Sequence, residues 1–464
     1  MRAEAGRFFL WVAAAVSIGL ACGAGSIALS ALVDGAYRLF ASFPLFAAML
    51  PFLGVAAVCL YRAARVPFDF GTIDVVASMR AGRAVPFAVA PLIAVASALT
   101  TLGGGSIGKE AAALQLGGAA ASRIADVHEE LARDRGVILA AGMAAAFSAL
   151  LFAPLAATVF VLELSKVSRA RLFRARTLCI PASAAVAYAL ADVADVGRIW
   201  AAGPLGAFSF PERLVSAAVV APSFPTALPE CAVVGTLSAL LGLAFCAVLK
   251  LGHTASVTFL KRPWLRMVVG GACCVALMGA MGTTGGHALS LAAGESPFGT
   301  LASGTGGAEI SAALSGQSLP QVLLWAKLAL TLLCLGFGFK GGEIMPVLCM
   351  GACLGNLVGF ATGADPAFVS AVGMAALFAA CTGCPAASVI LGCEAVGWAA
   401  APWLLVAVAF ASVGSRALNL YDTHTWMIDV PWARGKGYSG RGQSDRSSSQ
   451  RSDGSEEKER SWNK

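Results

Sequence analysis

The amino-acid sequence predicts an all-α polytopic membrane protein made of two inverted-topology repeats with broken and re-entrant helices. Composition, an internal repeat and the placement of basic residues carry that expectation. Of 464 residues, 58% are hydrophobic and 13% charged, with a mean hydropathy of +0.76, whereas ordinary globular chains are about 25% charged. The uncharged runs suit helices crossing a hydrocarbon core of roughly 30 Å, because backbone polar groups in lipid must be satisfied within each segment. With 52 glycines and abundant alanine, such helices can approach closely.

In chain order, apolar segments fall at 8–32, 44–61, 86–102, 136–162 and 177–193, with a short Gly-Ala-rich piece at 108–122. Arg2 and Arg7 before the first run resemble a signal peptide, but the run has no convincing cleavage site and reads as a retained helix. After an irregular stretch holding Pro204, Pro211, Pro222, Pro225 and Pro229, further runs follow at 230–250, 266–285, 319–338, 343–361, 368–382 and 385–413. Several are short or broken, as helices are where they line an ion site at membrane depth. From Trp432 the chain turns polar and rich in Ser, Gly and charge, which predicts a disordered tail over 432–464.

The repeat has an offset of 231 residues (373 minus 142). Gly142 to Glu163 matches Gly373 to Glu394 without a gap, pairing Phe147 with Phe378, Pro154 with Pro385 and Glu163 with Glu394. Upstream of each copy stands a glycine-rich helix start with a glutamate, GKEAAALQLGG and GGEIMPVLCMGA. Lys166, Arg169, Arg171, Arg174 and Arg176 follow the first copy, and no basic residue follows the second until Arg416. By the positive-inside rule the first copy ends in the cytoplasm and the second does not. Residues 1–200 and 201–431 then form two inverted membrane halves whose glycine-rich helix starts point at one another.

A helix start exposes unpaired N–H groups and the positive end of the helix dipole, so it can hold an anion. Glu110, in the first turn after the 102–108 glycine cluster, is an anion already in place. A soluble anion could take the same N–H groups only when Glu110 moves aside or takes a proton. A carboxylate in a first turn can also be there for helix stability alone, but at membrane depth an ionisable group is a functional candidate by default. Glu343 carries the same pair of readings. Glu163 and Glu394 read as helix-end or internal partners, and Lys327, inside LLWAKLALTLL, needs a partner or a snorkelling route.

The net charge of +7 sits in short clusters between apolar runs and in the tail, which reads as topology and not as nucleic-acid binding. The 13 cysteines lie mostly in apolar runs, and the Cys381–Cys384 pair lacks the second pair or the His of a metal site. No nucleotide loop, HExxH or Ser-His-Asp setting appears, so neither a cofactor nor an enzyme is expected.

GKEAA at 108–112 resembles the GREGP-type motif of the CLC family of anion channels and anion/proton antiporters, with Glu110 at its gating-glutamate position. GGEIMP at 341–346 resembles that family's GxFxP-type motif, whose backbone amides bind the anion, and Tyr421 in LNLYDTH resembles its pore tyrosine. The resemblance implies a CLC-like fold and a homodimer with one pore per subunit. It also implies an anion held by Gly108, Lys109, Gly342, Ile344, Met345 and Tyr421, with Glu110 and Glu343 in gating and proton transfer.

Glu343 and the run GKE…ALQLGG resemble the fluoride-transporting branch, whose members carry sequences like GREGTAVQMGG and GGEVTP. That branch's threonine falls at Met345, and the family's GSGIP motif is replaced in the region of FDFGTIDVV, 68–76. Glu163 matches the first of two acidic residues found in the family's chloride/proton exchangers, while Leu164 stands where the second, the proton relay, would be. The fluoride branch also lacks that second acid. The expectation is therefore a fluoride/proton antiporter of the plasma membrane, with a passive chloride or other anion channel as the alternative. An anion-sensing membrane protein would need a signalling domain, for which the tail is too short. Because the tail cannot bury apolar surface, truncation after Gly435 is expected to leave fluoride flux per protein nearly unchanged in proteoliposomes.

Overall fold

A proline sets the first structural break. The computed structural model describes residues 2–165, 176–200, 222, 227–284, 302–415 and 417–421. In it the apolar run 136–162 is two helices, α7 (Arg135–Leu151) and α8 (Pro154–Ser165). Pro154 disfavours helical geometry in the residue before it, and Phe152 takes the left-handed conformation at φ 54°. The second copy breaks at the matching place. There α15 (Pro366–Thr382) ends at Gly383, φ 69°, and α16 (Pro385–Val396) begins at the paired proline.

The other helices are α1 (Arg2–Ser42), α2 (Leu50–Ala63), α3 (Thr72–Ala81), α4 (Val89–Leu102), α5 (Glu110–Ala125), α6 (Glu129–Arg133) and α9 (Cys179–Trp200) in the first half. The second half adds α10 (Leu228–Phe259), α11 (Pro263–Thr284), α12 (Gly307–Leu314), α13 (Gln321–Phe337), α14 (Ile344–Thr362) and α17 (Ala401–Ser415). Among the described residues the structure is all-α. Among those residues six stretches, among them Gly6–Ser42 and Leu228–Phe259, are long and apolar enough to cross a membrane, and further apolar helices are shorter. The long first helix exceeds the run expected at 8–32, and the short helices α3 and α12 were not expected. The basic residues from Lys166 to Arg174 and the polar tail lie outside the described residues.

Packing repeats between the halves. In the first, α5 packs on α7, α7 on α9, α9 on α1 and α1 on α4; in the second, α14 packs on α15, α15 on α17, α17 on α10 and α10 on α13. Three pairs join counterparts directly: α2 with α11, α5 with α14, and α8 with α16. Glycines let the re-entrant helices sit backbone to backbone. A Cβ on Gly117 would run into the Gly142 carbonyl, and one on Gly351 into that of Gly373.

The α8–α16 contact explains Glu163 and Glu394. Glu394 accepts from the N–H groups of Leu155 (3.0 Å) and Ala156 (2.8 Å), and Glu163 from those of Ala386 (3.3 Å) and Ala387 (2.9 Å). Each half therefore caps a helix of the other, at positions related by the repeat offset. Lys327 is fully buried and donates to the carbonyls of Ala302 (3.2 Å), Ser303 (3.4 Å) and Gly304 (2.7 Å). Gly304 N–H in turn bonds Gly105 O at 3.2 Å, and Ser106 pairs with Thr331 at 2.9 Å, so the lysine braces the loop leading to α5. Replacing Glu163 or Glu394 by Ala removes two charged caps and is expected to cost about 1–2 kcal/mol of stability in each case. Thermal unfolding of the detergent-purified variants checks this, and equal loss in the two is the signature of the shared geometry.

Candidate functional site

The two glycine-rich helix starts meet. Gly108 N–H donates to Gly342 O at 2.5 Å and Gly342 N–H to Gly108 O at 2.6 Å, an isolated antiparallel bridge that sets α5 and α14 start to start. Neither glycine tolerates a side chain. A Cβ on Gly342 would lie 2.8 Å from the Ala111 nitrogen, and one on Gly108 would meet the Glu110 carboxylate.

Glu110, the first residue of α5, is 1% exposed. Its Oε2 crosses to the opposing helix and accepts from Met345 N–H at 3.3 Å, while Oε1 is buried without a partner. The carboxylate thus sits at the positive end of α14, on a donor that a small anion would otherwise use. Glu343 is the N-cap of α14 and accepts a short hydrogen bond from the Tyr421 hydroxyl. Tyr421 is held in place by Phe160, edge to face at 6.1 Å, and by Leu420 N–H bonding Cys381 O at 2.8 Å. Phe160 stacks on Phe147 at 5.0 Å and lies 5.5 Å from Phe378, so the repeat's matched phenylalanines both pack on the ring that bears on the tyrosine. Ile344 and Met345 are buried in the first turn of α14.

Lys109 is placed differently from the expectation. Its ammonium donates to Ser30 Oγ (2.7 Å) and to both oxygens of Asp34 (2.8 and 2.7 Å) on α1. The buried ion pair leaves only the backbone of Lys109 to face an anion, because a lysine at this depth needs a counter-charge more than a second ligand. Asp34 is the residue sequence reasoning missed. It is the lone acid in the α1 interior, and that isolation was the available signal.

The 68–76 stretch brings a third helix start to the same place. Thr72, at the head of α3, donates to Ala111 O at 3.4 Å and accepts from Gln115 Nε2 at 3.0 Å, which lays α3 against the first turns of α5. Asp74 closes that start by accepting from Gly71 N–H at 2.9 Å. The arrangement offers backbone donors, a tyrosine hydroxyl and two buried carboxylates. Such a set can bind a dehydrated anion and exchange protons with it. Among the described residues no cluster of His, Cys, Asp and Glu could hold a metal ion.

The sequence matches the family described as "Voltage gated chloride channel" over residues 55–416. A "Chloride/fluoride channel protein" of Pseudomonas syringae pv. tomato is 28% identical over 415 residues, covering 89% of this chain and 85% of that one. An "H(+)/Cl(-) exchange transporter ClcA" of Yersinia pseudotuberculosis is 24% identical over 384 residues, 79% and 73% of the two chains. Among solved structures, one titled "Crystal structure of a CLC-type fluoride/proton antiporter" superposes with a TM-score of 0.75 at 23% identity, over 89% of this chain and 97% of that one. A slow cyanobacterial Cl-/H+ antiporter gives a TM-score of 0.69 at 17% identity, over 88% and 94%. With the match running through most of the membrane region and the fold shared, the chain belongs to the CLC family, the voltage gated chloride channels and their transporter relatives.

Proposed function

We propose that the chain is a fluoride/proton antiporter that exports fluoride across the plasma membrane. The observation that carries this reading is the Glu110 carboxylate on Met345 N–H, because it puts an ionisable group in direct competition with the anion for one donor. Ionised, Glu110 occupies the start of α14. Protonated, it loses its pull on the helix dipole, yields the donor and can leave with its proton. Fluoride is small and accepts hydrogen bonds strongly, so it gains more than chloride from converging N–H and O–H donors that replace its water. Glu343 and Tyr421 supply a second such donor pair whenever Glu343 is protonated. The resemblance of GKE…ALQLGG and GGE to the fluoride branch, and Leu164 in place of a second acid, support the same reading.

The reading extends to architecture. Residues 1–200 and 201–431 act as inverted halves around the bridge, with 432–464 a cytoplasmic tail, and two copies associate with a separate pore in each. The Pseudomonas relative is named a chloride/fluoride channel protein, which favours passive anion flow as the second reading.

Fluoride-driven proton flux in sealed liposomes separates the two. Wild type is expected to move protons against a fluoride gradient and to show far weaker coupling to chloride. Glu110→Gln mimics the protonated acid permanently, so proton movement is expected to stop whether fluoride flux collapses or persists passively. Coupling that survives in this variant sinks the mechanism, and uncoupled fluoride flow in wild type moves the assignment to the passive channel.

Glu343→Gln keeps shape and removes charge. A binding or proton role predicts a loss of coupled flux of about tenfold or more, the scale of one charge-assisted hydrogen bond. A merely helix-stabilising role predicts a stability cost of about 0.3–1 kcal/mol with flux retained. Flux and unfolding temperature measured on the same preparation distinguish them.

A further inference from the structure

Two buried thiols from different helices touch. Cys274 of α11 and Cys334 of α13 are both fully buried, and their sulfurs lie 3.7 Å apart. The Ser106 N–H also faces the Cys334 sulfur, which makes that sulfur the acceptor and the Cys274 S–H the donor. Lys327, on the same face of α13, adds a positive charge. Donors aimed at a sulfur, with a cation nearby, are the surroundings in which a cysteine acts as a nucleophile. The other close thiols are placed differently: Cys246 donates to the Cys381 carbonyl at 3.7 Å, and Cys349 and Cys353 share one helix.

Cys334 is tied to the centre of the protein from two sides. Its sulfur meets Ser106, two residues before Gly108, and its carbonyl accepts from Phe339 N–H at 3.0 Å, three residues before Gly342. One residue thus touches both stretches of chain that run into the bridge between the helix starts. The same face of α13 carries Lys327, which holds the carbonyls of Ala302, Ser303 and Gly304, and Thr331, which pairs with Ser106 Oγ. Across from that stripe, Cys274 belongs to a helix with one side open, since its neighbour Cys273 is exposed. Joining the two sulfurs moves them well inside their present contact, and any displacement of Cys334 is passed to Ser106 and Phe339.

We propose that Cys274 and Cys334 are a redox-sensitive dithiol, oxidised to a disulfide by a hydroperoxide, and that the disulfide slows transport by displacing both approaches to the helix-start bridge. The Cys334 sulfur attacks one peroxide oxygen and breaks the O–O bond. The leaving oxygen takes the Cys334 proton and, from hydrogen peroxide, departs as water, which leaves a sulfenic acid on Cys334. Cys274 then displaces that hydroxyl, forming the S–S bond, and the hydroxyl leaves with the Cys274 proton as a second water. Two electrons pass from the sulfurs to the peroxide, and a dithiol reductant returns them. The effect on transport rests on the helix starts being the transport site, whereas formation of the disulfide does not.

Hydrogen peroxide applied to the protein in liposomes tests both parts, with peptide mapping under non-reducing conditions and fluoride efflux read on the same sample. The expected map joins the peptides of Cys274 and Cys334. Efflux is expected to fall about tenfold or more, the scale on which ångström displacements of a positioned site act, and dithiothreitol is expected to restore it. Cys274→Ala keeps the contacts of Cys334 with both loops, so it is expected to carry fluoride as wild type does and to ignore peroxide. If that variant fails to fold, the wild-type time course decides, because loss of efflux must track the appearance of the joined peptide. A map without the Cys274–Cys334 link overturns the proposal. So does full efflux from fully linked protein, or a folded Cys274→Ala variant that peroxide inhibits as strongly as wild type. If wild type carries chloride and not fluoride, the fluoride reading has failed, and the same protocol read with chloride still decides the dithiol.

Discussion

Two helix dipoles set positive end to positive end repel, and the centre of this protein is that arrangement. The reciprocal bridge between Gly108 and Gly342 holds the starts of α5 and α14 together, and only residues without side chains allow the approach. What offsets the repulsion is negative charge between the ends, which Glu110 supplies by reaching across to Met345 N–H. The carboxylate is therefore structural, and in the proposed mechanism it is also the group that the anion displaces. A small anion in the same position would satisfy the same field, so exchange of one for the other need not disturb the bridge.

The halves use their glutamates unequally. Glu163 and Glu394 spend both oxygens on backbone N–H groups of the opposite half, a symmetric lock that leaves nothing over for an ion. Glu110 and Glu343 break the symmetry. One crosses to the other helix with an oxygen unpartnered, and the other is bound by a tyrosine with no equivalent in the first repeat. Pseudo-symmetric packing builds a rigid frame, and the departures from symmetry sit where the anion path is proposed to run.

Much of the frame was legible because it is written in apolar length and in a gapless repeat. The break at Gly383 falls between the runs expected at 368–382 and 385–413, whereas the matching break at Phe152 lies inside the single run expected at 136–162. What escaped was set by tertiary pairing. Helices α3 and α12 are short and flanked by glycine, with too few turns for a periodic signal, and they form because neighbouring helices bury them. Lys109 sits in a motif that suggests an anion ligand, yet Asp34, 75 residues earlier, claims its charge. The meeting of the helix starts followed from the inverted repeat, whereas the crossing of Glu110 to the far helix is a matter of side-chain geometry that no spacing encodes.

Two buried cations show how satisfaction separates support from availability. Lys327 has three protons and three carbonyls, Ala302, Ser303 and Gly304, and so closes its own shell while bracing the loop before α5. Arg266 has five N–H bonds and one carboxylate partner, with Nε and Nη1 idle in the interior. A fold that needed only charge balance at Arg266 could have used a second acid or a shorter basic residue.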